Sequence, residues 1–265
     1  MFHVVVCVKA VPDPQKACNI KIDPVTKTLT RCDAPMVMNA LDKNAMEAAL
    51  NLRDQQDCLI TALSMGPPDA ARILTECLAL GADQGILLSD RAFAGADAYA
   101  TAYTLACAIR KLAPADLVLC GMASSDGSTE WVGPEIAAFL DYPVVTMVNA
   151  ITAGQDRRWR VKAALSNGYR LMEVHLPAVL TVTRDLNKPR VLSFSGIVKA
   201  RRKPVTRWGL AELGATPDKV GLKGSPTIVS TLAPMEKRRT VEILTGDMEE
   251  KADMLLDKLS AAGVI

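Results

Sequence analysis

Histidine is almost missing from this chain, with only His3 and His175 among its 265 residues. So few imidazoles leave a His-based catalytic triad without a base and a histidine-rich metal centre without ligands. The GxSxG elbow, the HExxH helix, the GxGxxG turn and the GxxxxGK[ST] loop are absent too. Hydrolase, zincin, dinucleotide-dehydrogenase and P-loop readings therefore lack their defining residues. Aromatic residues make up 4%, and no stretch approaches the roughly 18 uninterrupted apolar residues of a spanning helix. The formal net charge of +2 makes no case for nucleic acid or a membrane surface. Seven cysteines, at positions 7, 18, 32, 58, 77, 107 and 120, form no CxxC pair. Their odd number and scatter argue for reduced thiols in a cytoplasm-like compartment and against a zinc site. Met1 to Lys9 lacks the positive start and apolar stretch of a signal peptide, and a mitochondrial-type leader is not expected. A cytoplasmic protein without membrane insertion is the expectation.

What the chain does have is alternation. Phe2 to Val8 reads as a β-branched first strand, broken into a loop by Val11, Pro12, Asp13 and Pro14. Residues 19–31 read as a polar hairpin excursion. Leu41 to Arg53 places Leu41, Ala45, Ala48, Ala49 and Leu52 on one helical face, with Asn39 available as its cap. Leu59–Met65 is a second strand, Asp69–Leu80 a helix stopped by Gly81, Ile86–Ser89 a strand, and Ala96–Leu112 a long helix. The stretch from Asp116 to Pro143 then supplies a buried strand (Leu117–Cys120), a polar loop and a helix from Thr129 to Leu140. Ser128 or Thr129 is the expected cap, and Gly121 and Gly127 the expected points of sharp turning and close approach. Four strand–helix units in a row predict a doubly wound, mostly parallel α/β sheet. In such sheets a strand's carboxyl end feeding a helix amino end is where anionic and nucleotide ligands bind, so this loop is the candidate cofactor site. An ordinary βα loop with ordinary caps is the other reading of the same spacing.

After Pro143 the pattern changes. Val144–Val148, Trp159–Leu165, Tyr169–Leu176 and Ala178–Thr183 read as strands, the middle two joined by the Ser166-Asn167-Gly168 hairpin signal. They are expected to extend the sheet in antiparallel fashion. From Asn187 onward proline and glycine increase, and Arg190, Lys199, Arg201, Arg202, Lys203 and Arg207 occur with no acid among them. Residues 1–186 are expected to form the nucleotide-binding domain and 187–265 a C-terminal arm, ending in an amphipathic helix (Met248, Ala252, Leu255, Leu256, Leu259). Asp13, Asp42, Asp90, Asp97 and Asp126 all fall near strand ends or helix starts. Each serves as a cap or as an acceptor for a ribose or ribityl hydroxyl, with Asp126 best placed for the second role. No acid–base or nucleophile apparatus is assembled, so any chemistry belongs to a cofactor.

Taken together, VCVKAVPD (6–13), MNALDKNAMEAAL (38–50), MGPP (65–68), CLALGAD (77–83), DGSTEWVGPEIAAFL (126–140), LNKPR (186–190) and GLKGSPT (221–227) resemble the β subunit of electron transfer flavoprotein. The likeness runs through nearly the whole chain in order. It implies a heterodimer with an α subunit that binds FAD, carrying electrons between a donor and an FAD-dependent dehydrogenase. It also implies that Ala10 and Val11 border an adenine, that Asn39 and Gly66 share the pocket, and that Gly121, Asp126, Gly127, Thr129, Val132 and Gly133 hold phosphates through backbone N–H groups, with Ser128 among the cofactor-binding residues. The family divides over the occupant: AMP as a filler, or a second FAD that takes electrons from NADH and splits them by bifurcation. SDRAFAGADAYAT (89–101) resembles the bifurcating branch, which implies Asp90 and Thr101 in a flavin pocket. The loop ASSDGSTEWVG (123–133) departs from that branch's QAIDGDTAQVG, since Ala123, Ser128 and Trp131 replace Gln, Asp and Gln. Trp131 is open to two roles, a stacking surface or helix packing. By the same resemblance Leu192, Phe194 and Ile197 are the partner-binding residues, with Phe194 packing into the arm's own base as the competing reading. Two rival classes stay open: a stand-alone nucleotide-binding α/β protein, and a structural subunit with a vestigial site.

Overall fold

Alternate residues of the first strand feed two different cores. Val4 and Val6 pack with one helical layer, while Val5 and Cys7 pack with the other, as the two-residue period of a strand covered on both faces requires. Val4, Val5 and Val6 are fully buried, each worth about 1.5–3 kcal/mol relative to exposure. The computed structural model describes residues 1–16, 21–22, 29–30, 35–112, 114–154, 156–230 and 241–265. In chain order its first half contains β1 (Phe2–Cys7), β2 (Ala10–Pro12), β3 (Lys21–Ile22), β4 (Leu29–Thr30), β5 (Met36–Met38), α1 (Ala40–Arg53), β6 (Cys58–Met65), α2 (Ala71–Leu80), β7 (Gln84–Leu88) and α3 (Ala98–Lys111). The second half contains β8 (Leu117–Gly121), α4 (Val132–Leu140), β9 (Val144–Thr152), β10 (Arg158–Leu165), β11 (Gly168–His175), β12 (Ala178–Val182), α5 (Phe194–Ala200), β13 (Val205–Trp208), α6 (Leu210–Leu213) and α7 (Met248–Ala261).

Nine strands form one sheet in the order β11-β10-β9-β12-β8-β1-β6-β7-β13. β1 pairs in parallel with both β6 and β8, and the antiparallel pairs are confined to β9–β10 and β10–β11. The doubly wound sheet with antiparallel additions is thus present, α1 and α2 covering one face and α3 and α4 the other; of the strands after Pro143 expected to be antiparallel, however, β12 pairs in parallel with both β8 and β9, and the antiparallel pairing begins only at β10. The chain winds from β1 outward through β6 and β7, then returns to β8 on the opposite side of β1. That reversal makes the β1–β8 seam the topological switch point, where ligands of such sheets bind.

Several local expectations change. The Val11–Pro14 break is partly strand, because β2 pairs antiparallel with β5. The 19–31 hairpin is seen where Lys21 pairs with Thr30 and Ile22 with Leu29; its remainder lies outside the described residues, as do Cys18 and Cys32. Helix α4 starts at Val132 rather than Thr129, and Trp131 occupies the cap position with no side-chain cap bond. Ser128 (φ 48°) and Glu130 (φ 62°) are left-handed, and a right-handed helix cannot run through such residues.

The chain forms two compact units, Met1–Leu232 and Ala233–Ile265. Residues just beyond Asn187 are built onto the first of them. β13 pairs with β7, and α5 lies on α2 so closely that a Cβ at Gly196 would sit 2.2 Å from the Ala79 carbonyl oxygen. The LNKPR phrase is fastened to α1. Arg190 donates to both carboxylate oxygens of buried Glu47 and reaches Asp54, and the Asn44 and Asn187 side chains bond each other's segments. In the second unit α7 carries a capping box from Asp247 to Glu250 and leaves Leu255 and Leu256 exposed. Among the described residues no helix is long and apolar enough to cross a membrane.

Candidate functional site

The amino end of α1 sits over the β1–β8 seam and stitches its two sides together. The sequence offers Asn39 as a helix cap. It occupies that position but makes no cap bond; its amide instead donates to the Ala123 carbonyl (2.9 Å) and accepts from the Ser125 N–H (3.2 Å). One turn on, Asp42 accepts from the Lys9 N–H (2.8 Å) after β1 and from the Gly121 N–H (3.1 Å) at the end of β8. The Asn39 N–H completes the set by donating to the Lys9 carbonyl (2.9 Å). A few polar atoms on one helix turn therefore fix both loops that border the crevice.

Gly121 earns its place by close approach and not by turning: a Cβ there would lie 2.5 Å from Asp42 Oδ1 and 2.7 Å from Leu41 Cβ. Its N–H is already given to Asp42. Gly133 lets α4 rest on the sheet, since a Cβ would meet the Thr181 methyl at 2.4 Å and Cys120 Sγ at 3.0 Å. Gly127 is different, with nothing nearer to a built Cβ than Ser124 Oγ at 3.4 Å and Lys9 Nζ at 3.8 Å. Beyond it Ser128 folds back on the Ser124 carbonyl through N–H and hydroxyl, while Thr129 is exposed and Val132 half-buried. Trp131 is 63% exposed, so it is not a helix-packing residue in this structure. Ala10 and Val11 are buried in β2, beside Asn39, and Gly66 closes β6 with its N–H on the Leu88 carbonyl.

Lys9, which sequence reasoning did not single out, and Asp42, which it read as a cap or a hydroxyl acceptor, organise this site. Lys9 extends from the β1 exit across the seam, its ammonium 2.8 Å from Asp126 Oδ1 and 3.3 Å from Ser124 Oγ. Burial raises the Asp126 carboxyl, but the Lys9 charge and the bonds from Lys9 and Ser124 outweigh it and hold the group below the usual carboxylate range. A cation between buried Val8 and Ala10 at a strand exit was the available signal. Asp42 is the buried member of the pair. Its burial pushes its pKa up to about 7, against the pull of bonds from Asn39, Lys9 and Gly121. A carboxyl raised in the folded state stabilises fully below its unfolded pKa and loses that contribution as pH rises through the folded value. The melting temperature is therefore expected to fall as pH rises from about 5 to 8, with Asp42→Asn showing a flatter profile; parallel thermal melts of the two proteins check this, and coincident slopes would refute it.

Asp90 and Thr101 lie apart from the seam, at the β7–α3 side. Asp90 caps the turn Arg91–Phe93 through the Ala92 N–H and also accepts from the Leu210 N–H, bonds that lower its pKa. Thr101 is half-buried in the first turn of α3. Asp97 caps α3 and receives the N–H and hydroxyl of Thr227, while a Cβ at Gly221 would strike the Ala92 carbonyl at 2.0 Å. SDRAFAGAD and GLKGSPT, distant in sequence, are thus two halves of one packed surface. Glu135 in the first turn of α4 is raised by burial and by the Asp97 charge, so the amino ends of α3 and α4 are electrostatic neighbours.

The donors around the seam fit an anion. The first N–H groups of a helix find no carbonyl within it, α4 presents that end beside the loop, and Lys9 adds a cation; Gly127 leaves the backbone open to approach. This donor set suits a nucleotide phosphate.

The family model described as the electron transfer flavoprotein domain matches residues 26–213. The chain is 42% identical over 266 residues to the caffeyl-CoA reductase–Etf complex subunit CarD of Acetobacterium woodii, covering all of both chains. It is 42% identical over 265 residues, again all of both chains, to an electron transfer flavoprotein subunit beta of Thermoanaerobacterium thermosaccharolyticum. Protein FixA of Azotobacter vinelandii is 38% identical over 268 residues, covering 97% of this chain and 94% of that one.

Proposed function

The chain belongs to the electron transfer flavoprotein family, and from that premise we propose that it is the β subunit of a cytoplasmic heterodimer that binds an adenine nucleotide at the β1–β8 seam. The observation that carries the nucleotide reading is the stitching of both seam loops to one helix end by Asn39 and Asp42. A preorganised loop does not have to be ordered when the ligand arrives, which lowers the cost of binding. FAD bound in the heterodimer supplies the electron chemistry. This chain's residues would bind and orient the nucleotide: the α4 amino end and the 124–129 backbone would hold the phosphates, and Ala10, Val11 and Gly66 would line the adenine pocket.

We read FAD as the occupant of this chain's own site, with NADH as electron donor and a partner dehydrogenase as acceptor. The wording of SDRAFAGADAYAT and GLKGSPT and their packing against each other support that reading. AMP is the second reading, favoured by a specific observation: Ala123, Ser128 and Trp131 offer no carboxylate or amide side chain to a ligand. Purifying the chain with its α-type partner and counting nucleotides released by acid decides between them. Two FAD per heterodimer is expected, and one FAD with one AMP establishes the second reading. One FAD and no other nucleotide would overturn both.

A further inference from the structure

We infer that Lys9 is the residue that takes the nucleotide's phosphate, and that Asp126 holds its ammonium across the crevice until the phosphate replaces the carboxylate. This rests on the nucleotide reading above and adds to it a residue and an exchange.

Lys9 has an immobilised backbone and a side chain held only at its tip, by Asp126 and Ser124. Its N–H is fixed by Asp42 and its carbonyl by the Asn39 N–H, and its neighbours Val8 and Ala10 are buried. The side chain, 46% exposed, then spans the seam to the Asp126 carboxylate, which is 16% exposed. Its ammonium stands 3.8 Å from where a Cβ on Gly127 would be, over the corner of the loop where another molecule can reach the backbone. A single, half-exposed ion pair holds weakly. A phosphate offers more negative charge and more acceptor oxygens than one carboxylate, and charge-assisted bonds to it are the stronger kind. Exchange is therefore downhill for Lys9. Asp126, left without its partner, keeps beside the crevice a negative charge that opposes an anionic ligand.

The pairing predicts opposite signs for its two members. In the purified heterodimer freed of nucleotide, calorimetry measures binding of AMP and of adenosine, which lacks the phosphate. Lys9→Met is expected to weaken AMP about 10-fold, the loss of one bond to a charged group, and to leave adenosine unchanged. Asp126→Asn is expected to tighten AMP about 3-fold by removing a like charge. Equal losses for AMP and adenosine in Lys9→Met would mean that Lys9 merely holds the loop, and would overturn the inference. So would weaker AMP binding in Asp126→Asn, which would make Asp126 a direct ligand contact. Binding of neither compound by the unaltered heterodimer would sink the nucleotide reading, and this inference with it.

Discussion

Arg190→Ala is expected to cost about 2–3 kcal/mol of stability, because it leaves the buried carboxylate of Glu47 without its partner. Glu47 is 7% exposed and takes the Arg190 N–H and guanidinium on its two oxygens, while Asn51 and Asp54 hold the guanidinium from the other side. Removing one partner of a buried pair strands the other charge, a larger penalty than the pair's net worth. The full cost is reduced because Arg190 itself is 36% exposed and water reaches its outer bonds. Urea denaturation of the two proteins measures the difference, and a loss below about 1 kcal/mol, the range of a surface pair, would show that Glu47 finds water or another partner. Arg190→Lys is expected to recover only part of the loss, since a point-charge ammonium cannot reproduce a fork on two oxygens. Hydrogen exchange would localise the effect to the segment beyond Asn187, which this pair ties to α1.

The second large effect concerns electron delivery. Phe194→Ala is expected to slow transfer to the partner dehydrogenase about 30-fold at limiting dehydrogenase, the scale of losing one anchoring aromatic, with nucleotide content unchanged. Phe194 is 83% exposed at the start of α5, so it does not pack into the arm's own base, and Val191 beside it is 91% exposed. Leu192 is partly buried against the core and Ile197 is 39% exposed, which leaves Phe194 as the outward anchor of the three. The helix that presents it is rigidly seated: Ser193 caps it through the Gly196 N–H, Gly196 abuts Ala79 and Ala200 is buried. A rigid apolar anchor followed by Lys199 and Arg201–Lys203 suits transient docking, in which charges steer the encounter and the anchor supplies affinity. Unchanged transfer in Phe194→Ala would refute that role.

The strands of the sheet were readable because β-branched runs such as Phe2–Cys7 must be covered on both faces, and period is a local property. The seam itself was readable too, as a short apolar strand followed by glycine and a polar loop. The misreadings share a cause. Asn39 and Ser128 have the chemistry of helix caps, and sequence spacing put them where caps belong. In the fold Asn39 finds better partners 84 and 86 positions away, and Ser128 takes a backbone angle that excludes it from α4. Of the aspartates read as caps, Asp90 and Asp97 are caps, whereas Asp42 cross-links two strand ends and Asp126 pairs with Lys9. Helix propensity cannot separate these cases, because each depends on which distant N–H arrives.

By itself the sequence determined the layer order of the domain, the family and the stretch that borders the crevice, since all three follow from local period, local composition and phrases in a fixed order. Only the tertiary structure decided that Lys9 meets Asp126 across the seam, that Asp42 ties the two sides of the seam together, and that Arg190 neutralises Glu47. A polar side chain commits its few bonds to whichever donors and acceptors the fold brings within about 3 Å, and residues more than a hundred positions apart become neighbours only after the sheet has formed.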